Sequence, residues 1–491
     1  MSLLVLLVPA VAAFVVRFVK TSQLQLAATL FSGLLTFVIA LALPGRRGFE
    51  TLWIPGFNSY FALSPEGAAS VLVASAALAM IPALLYASLK ITERRGSFLA
   101  LLLIMQASLN GLFLAKDLVI FYLFWEATLI PSLLMLGIWG GAERRKATLK
   151  YLIYAVTGSF LMLVSILAIK PLSGSSTYLI RDLLEATPTL PVGTQIMLFL
   201  GFTMSFAVKL PLWPLHAWLP DFHEQNHPSG VADVAGTLYK VGGFGFFAWA
   251  LPLLPDAARA LSPLLLMLAA FTALYAALIA TTQTNLKRML AYASLAHMGI
   301  VGVGVFGLHL AGLSGAVYLL AAQMLSTSGL FLLSGMLYER RQTFELSAYG
   351  GLAKSAPALA AVTLFVIFTS IGVPGLANFP GEFMSLMGSF QSGSGWNVFW
   401  TLLATCSVIA AGVYGVNLYQ RLYQGEQDRG VPDFQPLETL VMLPVILGIL
   451  WLGLAPNGPL KRIEVQSHLA AQSGNAPEAV QRAATPPAEE P

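Results

Sequence analysis

Apolar stretches long enough to cross a bilayer recur from one end of this chain to the other, and no other feature limits the choice of fold as severely. One crossing needs about 20 mainly apolar residues in helical form. Hydrocarbon offers no water to a free N–H or C=O, so each stretch must satisfy its backbone within itself. Helix is therefore the expected unit, with stretches at about 2–17, 24–43, 67–89, 97–115, 117–139, 148–170, 194–219, 229–254, 261–282, 288–308, 311–337, 357–390, 396–420 and 436–457. The expected fold class is an all-α integral membrane protein of about 14 transmembrane helices.

Only 10% of the 491 residues are charged, against about 25% in a soluble domain, and mean hydropathy is +0.75, which excludes a string of soluble domains. The formal charge of +4 does not mark a nucleic-acid binder, because Lys and Arg fall in short clusters between apolar runs. One set of alternate loops collects Arg17, Lys20, Lys90, Arg94, Arg95, Arg144, Arg145, Lys146, Lys150, Lys287, Arg288, Arg340, Arg341, Lys354, Arg421 and Arg429. Positive loops stay cytoplasmic, so both termini are expected outside the cytoplasm. Leu3 to Val16 precedes its basic residues, Arg17 and Lys20, the reverse of a signal peptide, and reads as the first span. Cys406 is the only cysteine, so counting excludes intrachain disulfides, iron–sulfur clusters and thiolate zinc sites.

Two stretches carry internal breaks. The seventh contains Lys209-Leu-Pro-Leu-Trp-Pro214; the twelfth contains Gly372-Val-Pro-Gly375 and Asn378-Phe-Pro-Gly381. Such breaks free backbone carbonyls and are tolerated where they face protein or a wet cavity. They lie five spans apart and so run in opposite directions, which points to two five-helix inverted repeats with discontinuous helices 7 and 12. The expected organisation is helices 1–3 over 1–96, a first repeat (helices 4–8) over 97–256, a second (helices 9–13) over 257–425, helix 14 over 426–460, and a polar disordered tail over 461–491, Pro-rich at Thr485-Pro-Pro-Ala-Glu-Glu-Pro491.

Few charges lie deep inside the spans: Glu126 in Trp125-Glu126-Ala, Lys209 in Phe206-Ala-Val-Lys209, Lys240 in Leu-Tyr-Lys240-Val-Gly-Gly, and Glu382 in Pro-Gly-Glu382-Phe. His297, in Leu-Ala-His297-Met-Gly, joins them. A charge at bilayer depth costs on the order of 3 kcal/mol, so each needs a partner or water. Two carboxylates, two amines and an imidazole that titrates near neutral pH read as a proton relay, with separation between Glu126 and Lys209 controlling whether the lysine keeps its proton. Static ion pairs are the competing reading; buried pairs stabilise poorly against apolar packing, which favours the relay. His223-Glu-Gln-Asn-His227 matches a zinc-protease pattern, but Pro228 disfavours helix at His227 and no third ligand is evident. Gly302-Val-Gly-Val-Phe-Gly307 lies inside an apolar span with no preceding strand, and reads as helix packing rather than a dinucleotide loop.

The run Ala207-Val-Lys-Leu-Pro-Leu-Trp-Pro-Leu-His216-Ala-Trp-Leu-Pro-Asp221-Phe-His223, with Phe124-Trp-Glu126, Arg288-Met-Leu-Ala-Tyr-Ala-Ser-Leu-Ala-His297-Met-Gly and Gly372-Val-Pro-Gly-Leu-Ala-Asn-Phe-Pro-Gly-Glu382-Phe, resembles the antiporter-like membrane subunits of bacterial respiratory complex I, NADH:quinone oxidoreductase. Relatives occur in multisubunit sodium/proton antiporters and ion-pumping hydrogenases, and these alternatives stay open, as does a purely structural scaffold. Glu382, where the L-type, N-type and antiporter subunits usually carry lysine, looks like the M-type (chain 4) branch. The resemblance implies that Glu126 and Lys209 form the charge pair, Lys240 the central relay, His297 a connecting residue and Glu382 the lysine's counterpart in the second half. It implies partners among the other membrane-arm subunits, including L-type and N-type neighbours, in a bacterial inner membrane. It further implies no cofactor bound by this chain, with NADH, FMN, iron–sulfur clusters and quinone in partner subunits. Where many relatives have histidine in the eleventh span this chain has Gln323, so a link between His297 and Glu382 is expected to need water.

Overall fold

A computed structural model describes residues 1–238, 241–425 and 430–471 of the chain. Its helices are α1 (Leu4–Phe18), α2 (Ser22–Leu41), α3 (Ala68–Lys90), α4 (Arg95–Leu114), α5 (Leu118–Ala127), α6 (Leu129–Trp139), α7 (Arg144–Ser173), α8 (Ile180–Ala186), α9 (Val192–Lys209), α10 (Trp218–Gln225), α11 (Val231–Leu238), α12 (Gly242–Gly245), α13 (Leu251–Leu253), α14 (Pro255–Thr282), α15 (Leu286–Phe306), α16 (Leu310–Arg341), α17 (Pro357–Ser370), α18 (Asn378–Gln391), α19 (Gly395–Tyr423), α20 (Pro436–Leu454) and α21 (Asn457–Ala471). Eleven crossings are long and apolar enough by themselves, with α5 and α6 counted as one. The shorter α1, the broken pair α17/α18 and the segmented run α11–α13 bring the described crossings to the expected fourteen.

Helices α15 and α16 are enclosed almost completely, whereas α2, α7, α19 and α20 leave most of their apolar windows outward, where lipid would lie. Small residues set the inner spacing. Ala269, Ala273, Ala276 and Ala280 of α14 are fully buried, and a Cβ on Gly299 of α15 would come within 2.4 Å of the Ala273 nitrogen. Without a hydrophobic drive between helices in lipid, such close backbone approach is what holds them together.

Three features depart from the expected organisation. Phe49–Ile54 (β1) and Ser59–Leu63 (β2) form an antiparallel hairpin turning at Asn58. Asp117 pins it: its carboxylate accepts from the Ser59 hydroxyl at 3.0 Å and from Tyr60 N at 2.9 Å while capping α5 through Val119 N. The eighth crossing contains a π-helical turn at Phe246–Ala250. The tail expected to be disordered from residue 461 is helical as far as Ala471, because Pro459, Ile463, Ser467 and Ala470 share one buried face although the segment as a whole is polar. Ser467 bonds Ser314 of α16 at 2.9 Å. Residues 472–491, including the Pro-rich end, lie outside the described residues.

On the positive face, Asp433 accepts from Ala358 N and Leu359 N, the first free donors of α17. Burial alone would raise its pKa, but these backbone bonds, that to Phe434 N and nearby Arg340 together hold it below the ordinary carboxylate value. Arg340, at the end of α16, makes a bidentate pair with Glu438 of α20, both bonds at 2.7 Å and both side chains almost wholly buried. The guanidinium also donates to the carbonyls of Met336, Pro432 and Asp433. Removing one partner of such a pair strands the other without solvent. Glu438→Ala is expected to destabilise the chain by about 3 kcal/mol, with Arg340→Met/Glu438→Leu recovering most of that loss; thermal denaturation in detergent measures both.

Candidate functional site

The fifth crossing is kinked where its one acidic residue sits. Pro131 has no N–H to give the Ala127 carbonyl, and α5 and α6 meet at Thr128. The Thr128 hydroxyl donates to Trp125 O at 2.8 Å. Lys209, the last residue of α9 and buried, donates to that same Trp125 carbonyl at 3.0 Å and to Thr128 Oγ1 at 2.8 Å. Its ammonium also lies 4.1 Å from the Trp125 ring centre, a cation–π distance. These bonds run to residues bracketing Glu126, which is half-buried, and not to its carboxylate.

Beyond Lys209 the expected break in the seventh crossing is present, and its carbonyls are satisfied locally. Leu210 N donates to Phe206 O at 2.7 Å, Leu212 N to Ala207 O at 2.9 Å, and the Trp218 indole to Val208 O at 3.2 Å. The eighth crossing packs hard against this point: a Cβ on Gly242 would fall 2.1 Å from Phe206 O. Lys240, the expected central relay, lies outside the described residues.

The second broken helix is built from the same needs. Between α17 and α18, Val373 N donates to Phe368 O at 3.0 Å. The Asn378 amide reaches Ser370 O at 3.4 Å and is itself held by Ser326 of α16 at 3.0 Å. Glu382, buried near the start of α18, lies 2.9 Å from His297 Nδ1 of α15. His297 Nε2 is 3.3 Å from the Tyr414 hydroxyl of α19 and 3.5 Å from Ser370 Oγ. The two side chains thus lie closer than their separation in sequence suggests, but neither His297 Nδ1 nor Glu382 Oε1 makes a hydrogen bond, so the expected water link is not replaced by a direct one. Gly381 explains the close approach, since a Cβ there would stand 2.7 Å from Leu319 N of α16, so α18 sits directly on the core. Gln323 bonds Thr327 on its own helix and takes no part in this contact.

Sequence reasoning missed a second buried polar group. Asp233 of α11 pairs with Lys287 of α15 at 2.7 Å, both fully buried, and accepts from the Asn226 amide at 3.0 Å; His223 Nδ1 is also 3.0 Å away. Lys287 also donates to the carbonyls of Asn226 and His227 at 3.0 Å. Lys287, expected among the surface charges of the positive face, is thus interior. The available signal was Asp233 inside the expected eighth stretch, close enough to its edge to pass as a loop residue. His223 and His227 do not act together: His227 bonds Ser229 at 2.9 Å after α10 has ended. Burial first, and Lys287 next, lower the His227 pKa to about 4 against the pull of Asp233, which leaves it neutral. Among the described residues, no three His, Cys, Asp or Glu side chains converge as a metal site.

Two inverted broken helices, each with an ionisable side chain at its break and a histidine beside the second, define a polytopic subunit of the antiporter-like class. The chain belongs to the NADH:quinone oxidoreductase/Mrp antiporter membrane family, whose description matches residues 115–410. It is 44% identical over 428 residues to NADH-quinone oxidoreductase subunit 13 of Thermus thermophilus, covering 87% of this chain and 89% of that one. It is 35% identical to subunit M of Rhodobacter capsulatus, covering 86% and 85%. A chain of respiratory complex I from Thermus thermophilus superposes with a TM-score of 0.92 at 39% identity, covering 97% of this chain and 100% of that one. One in an archaeal membrane-bound sulfane sulfur reductase does so with 0.82 at 20% identity, covering 93% and 76%, which is a likeness of fold alone.

Gly372 is the residue on which the second half turns. It adopts φ +75°, a left-handed conformation that favours glycine, and a Cβ there would meet Glu382 Oε2 at 2.2 Å. Gly372→Ala is expected to push the carboxylate off His297 and lower coupled turnover roughly tenfold or more without blocking membrane insertion; NADH oxidation and proton uptake in vesicles, with assembly checked on native gels, measure this.

Proposed function

We propose that this chain moves protons along its buried Glu126, Lys209, Lys240, His297 and Glu382 side chains, as an antiporter-like membrane-arm subunit of an NADH:quinone oxidoreductase, driven by electron transfer in partner subunits. The observation that carries the reading is the 2.9 Å contact between His297 and Glu382 at the second break. Imidazole and carboxylate at that distance need only a small rotation or one bridging water to pass a proton, and the Tyr414 hydroxyl at the other ring nitrogen is a hydrogen-bond partner. At the other end, Lys209 is held by a carbonyl and a hydroxyl beside Glu126, so a shift at the Thr128 kink would change the distance between the two charges and with it the lysine's hold on its proton. Residue Lys240 would join the two ends.

The organisation that fits is a pair of opposed units, 97–256 and 257–425, flanked by helices 1–3 and helix 14. L-type and N-type neighbours would cover the flanks. Cofactors would sit in partner subunits and none in this chain. A bacterial plasma membrane with both termini outside fits the distribution of positive charge.

Glu382→Gln removes the acceptor while keeping shape, and Lys209→Met removes the cation while keeping length. Each is expected to reduce NADH-driven proton pumping by roughly tenfold or more, in line with the usual contribution of a placed acid or base, with the complex still assembled. Pumping equal to wild type in both variants would mean that these charges only tie helices together.

A further inference from the structure

The positive face carries a cluster that the relay does not use. The end of α1, the start of α2 and the start of α4 border an open cavity of about 820 Å³ lined by Arg17, Lys20, Arg94 and Arg95. Among the described residues, no acidic side chain lies within ion-pair distance of any of the four, although Glu93 is adjacent in sequence. Arg17 lies over the Phe18 ring, and Arg95 Nε is shielded from solvent with no hydrogen-bond partner. Four uncompensated cations around one space repel one another, so an anion there would lower the energy of the folded chain.

The helix ends reinforce this. Gln25 donates to Val16 O at 3.5 Å and to Val19 O at 2.8 Å, satisfying the last carbonyls of α1. Helices α2 and α4 both begin at the cavity and turn their positive ends toward it. Gly96 allows the crowding, since a Cβ there would lie 2.8 Å from the Gln25 amide and 3.0 Å from Val16 O.

A second cavity begins within a turn of the first. An apolar groove of about 380 Å³ runs between α1 and α2 from Val15 and Ala28 to Leu7 and Leu35, past Phe31. Leu7 and Val15 are separated by roughly 12 Å along the helix axis, which is the upper part of an acyl chain. Cations at headgroup depth above an apolar groove at hydrocarbon depth fit one ligand class.

We propose that this chain binds an anionic phospholipid between α1, α2 and α4, its phosphate among Arg17, Lys20, Arg94 and Arg95 and one acyl chain in the α1–α2 groove. A free phosphate would use only the first half of the site, and a zwitterionic lipid would gain little from four cations. The site lies apart from the buried relay, so the proposal does not depend on the pumping assignment.

The test uses the whole complex purified in detergent, stripped of lipid, and offered phosphatidylglycerol, phosphatidylcholine with the same chains, or inorganic phosphate. Retained lipid is counted by quantitative mass spectrometry. The expected result is selective retention of phosphatidylglycerol, weakened roughly tenfold by Arg94→Gln/Arg95→Gln. Ala28→Trp, which fills the groove and leaves the cations in place, should weaken it similarly. Arg17→Gln/Lys20→Gln replaces the first pair should that variant fail to assemble. Equal retention of phosphatidylcholine, full displacement by inorganic phosphate, or no retention in wild type because a neighbouring subunit crosslinks to the cavity would each overturn the proposal.

Discussion

The constraint on which the rest of this structure depends is that hydrocarbon cannot hydrate a broken helix or a buried charge. A charge at bilayer depth costs on the order of 3 kcal/mol, while a helix end contributes only about 0.3–1 kcal/mol toward a suitably signed neighbour. Helix ends alone therefore cannot hold Lys209 or Glu382 in place; each needs direct contacts. Lys209 has two oxygens and an aromatic face, and Glu382 has His297. Each break likewise finds donors for its freed carbonyls, from Trp218 at the first and Asn378 at the second.

Meeting those needs requires backbones to come unusually close, and small residues make that possible. Gly242 rests on the Phe206 carbonyl, Gly381 on Leu319, and Gly299 on Ala273. The same crowding that seals the core against lipid brings His297 of α15 and Glu382 of α18 to 2.9 Å. Packing and chemistry at the second break are therefore one property: a larger residue at Gly381 would move α18 outward and open the contact.

The fourteen crossings, the two breaks and four of the described ionisable residues were legible because each is a strong local signal: a long apolar run, a Pro/Gly cluster, or a charge where none is cheap. What escaped was whatever a hydropathy window averages away. The Thr128 kink spans one residue, and the π turn at Phe246–Ala250 lies inside a uniformly apolar run. Helix α21 shows its apolar face only when Ile463, Ser467 and Ala470 are placed against α16 and α3, because the segment as a whole is polar. The hairpin alternates weakly, and its anchor, Asp117, is distant in sequence. The Asp233–Lys287 pair joins residues 54 positions apart, neither remarkable alone. Geometry between spans, and so the closeness of His297 to Glu382, is not written in any one span.

The unlike charges at the two breaks are held by direct contacts. Lys209 closes a half-helix whose last carbonyls are taken by Leu210, Leu212 and Trp218, so its cation rests on Trp125 O and Thr128 Oγ1 of the neighbouring crossing. Glu382 is the fifth residue of its half-helix, past the first turn, where Phe379 N is already bonded to Leu376 O and Pro380 has no N–H, so its carboxylate depends on His297 beside it. At the second break the chain turns at Gly372, whose missing Cβ leaves the space that the Glu382 carboxylate occupies. The breaks are thus what allow a cation in one half and a carboxylate in the other to be held within the bilayer, close enough to their partners for small movements to matter.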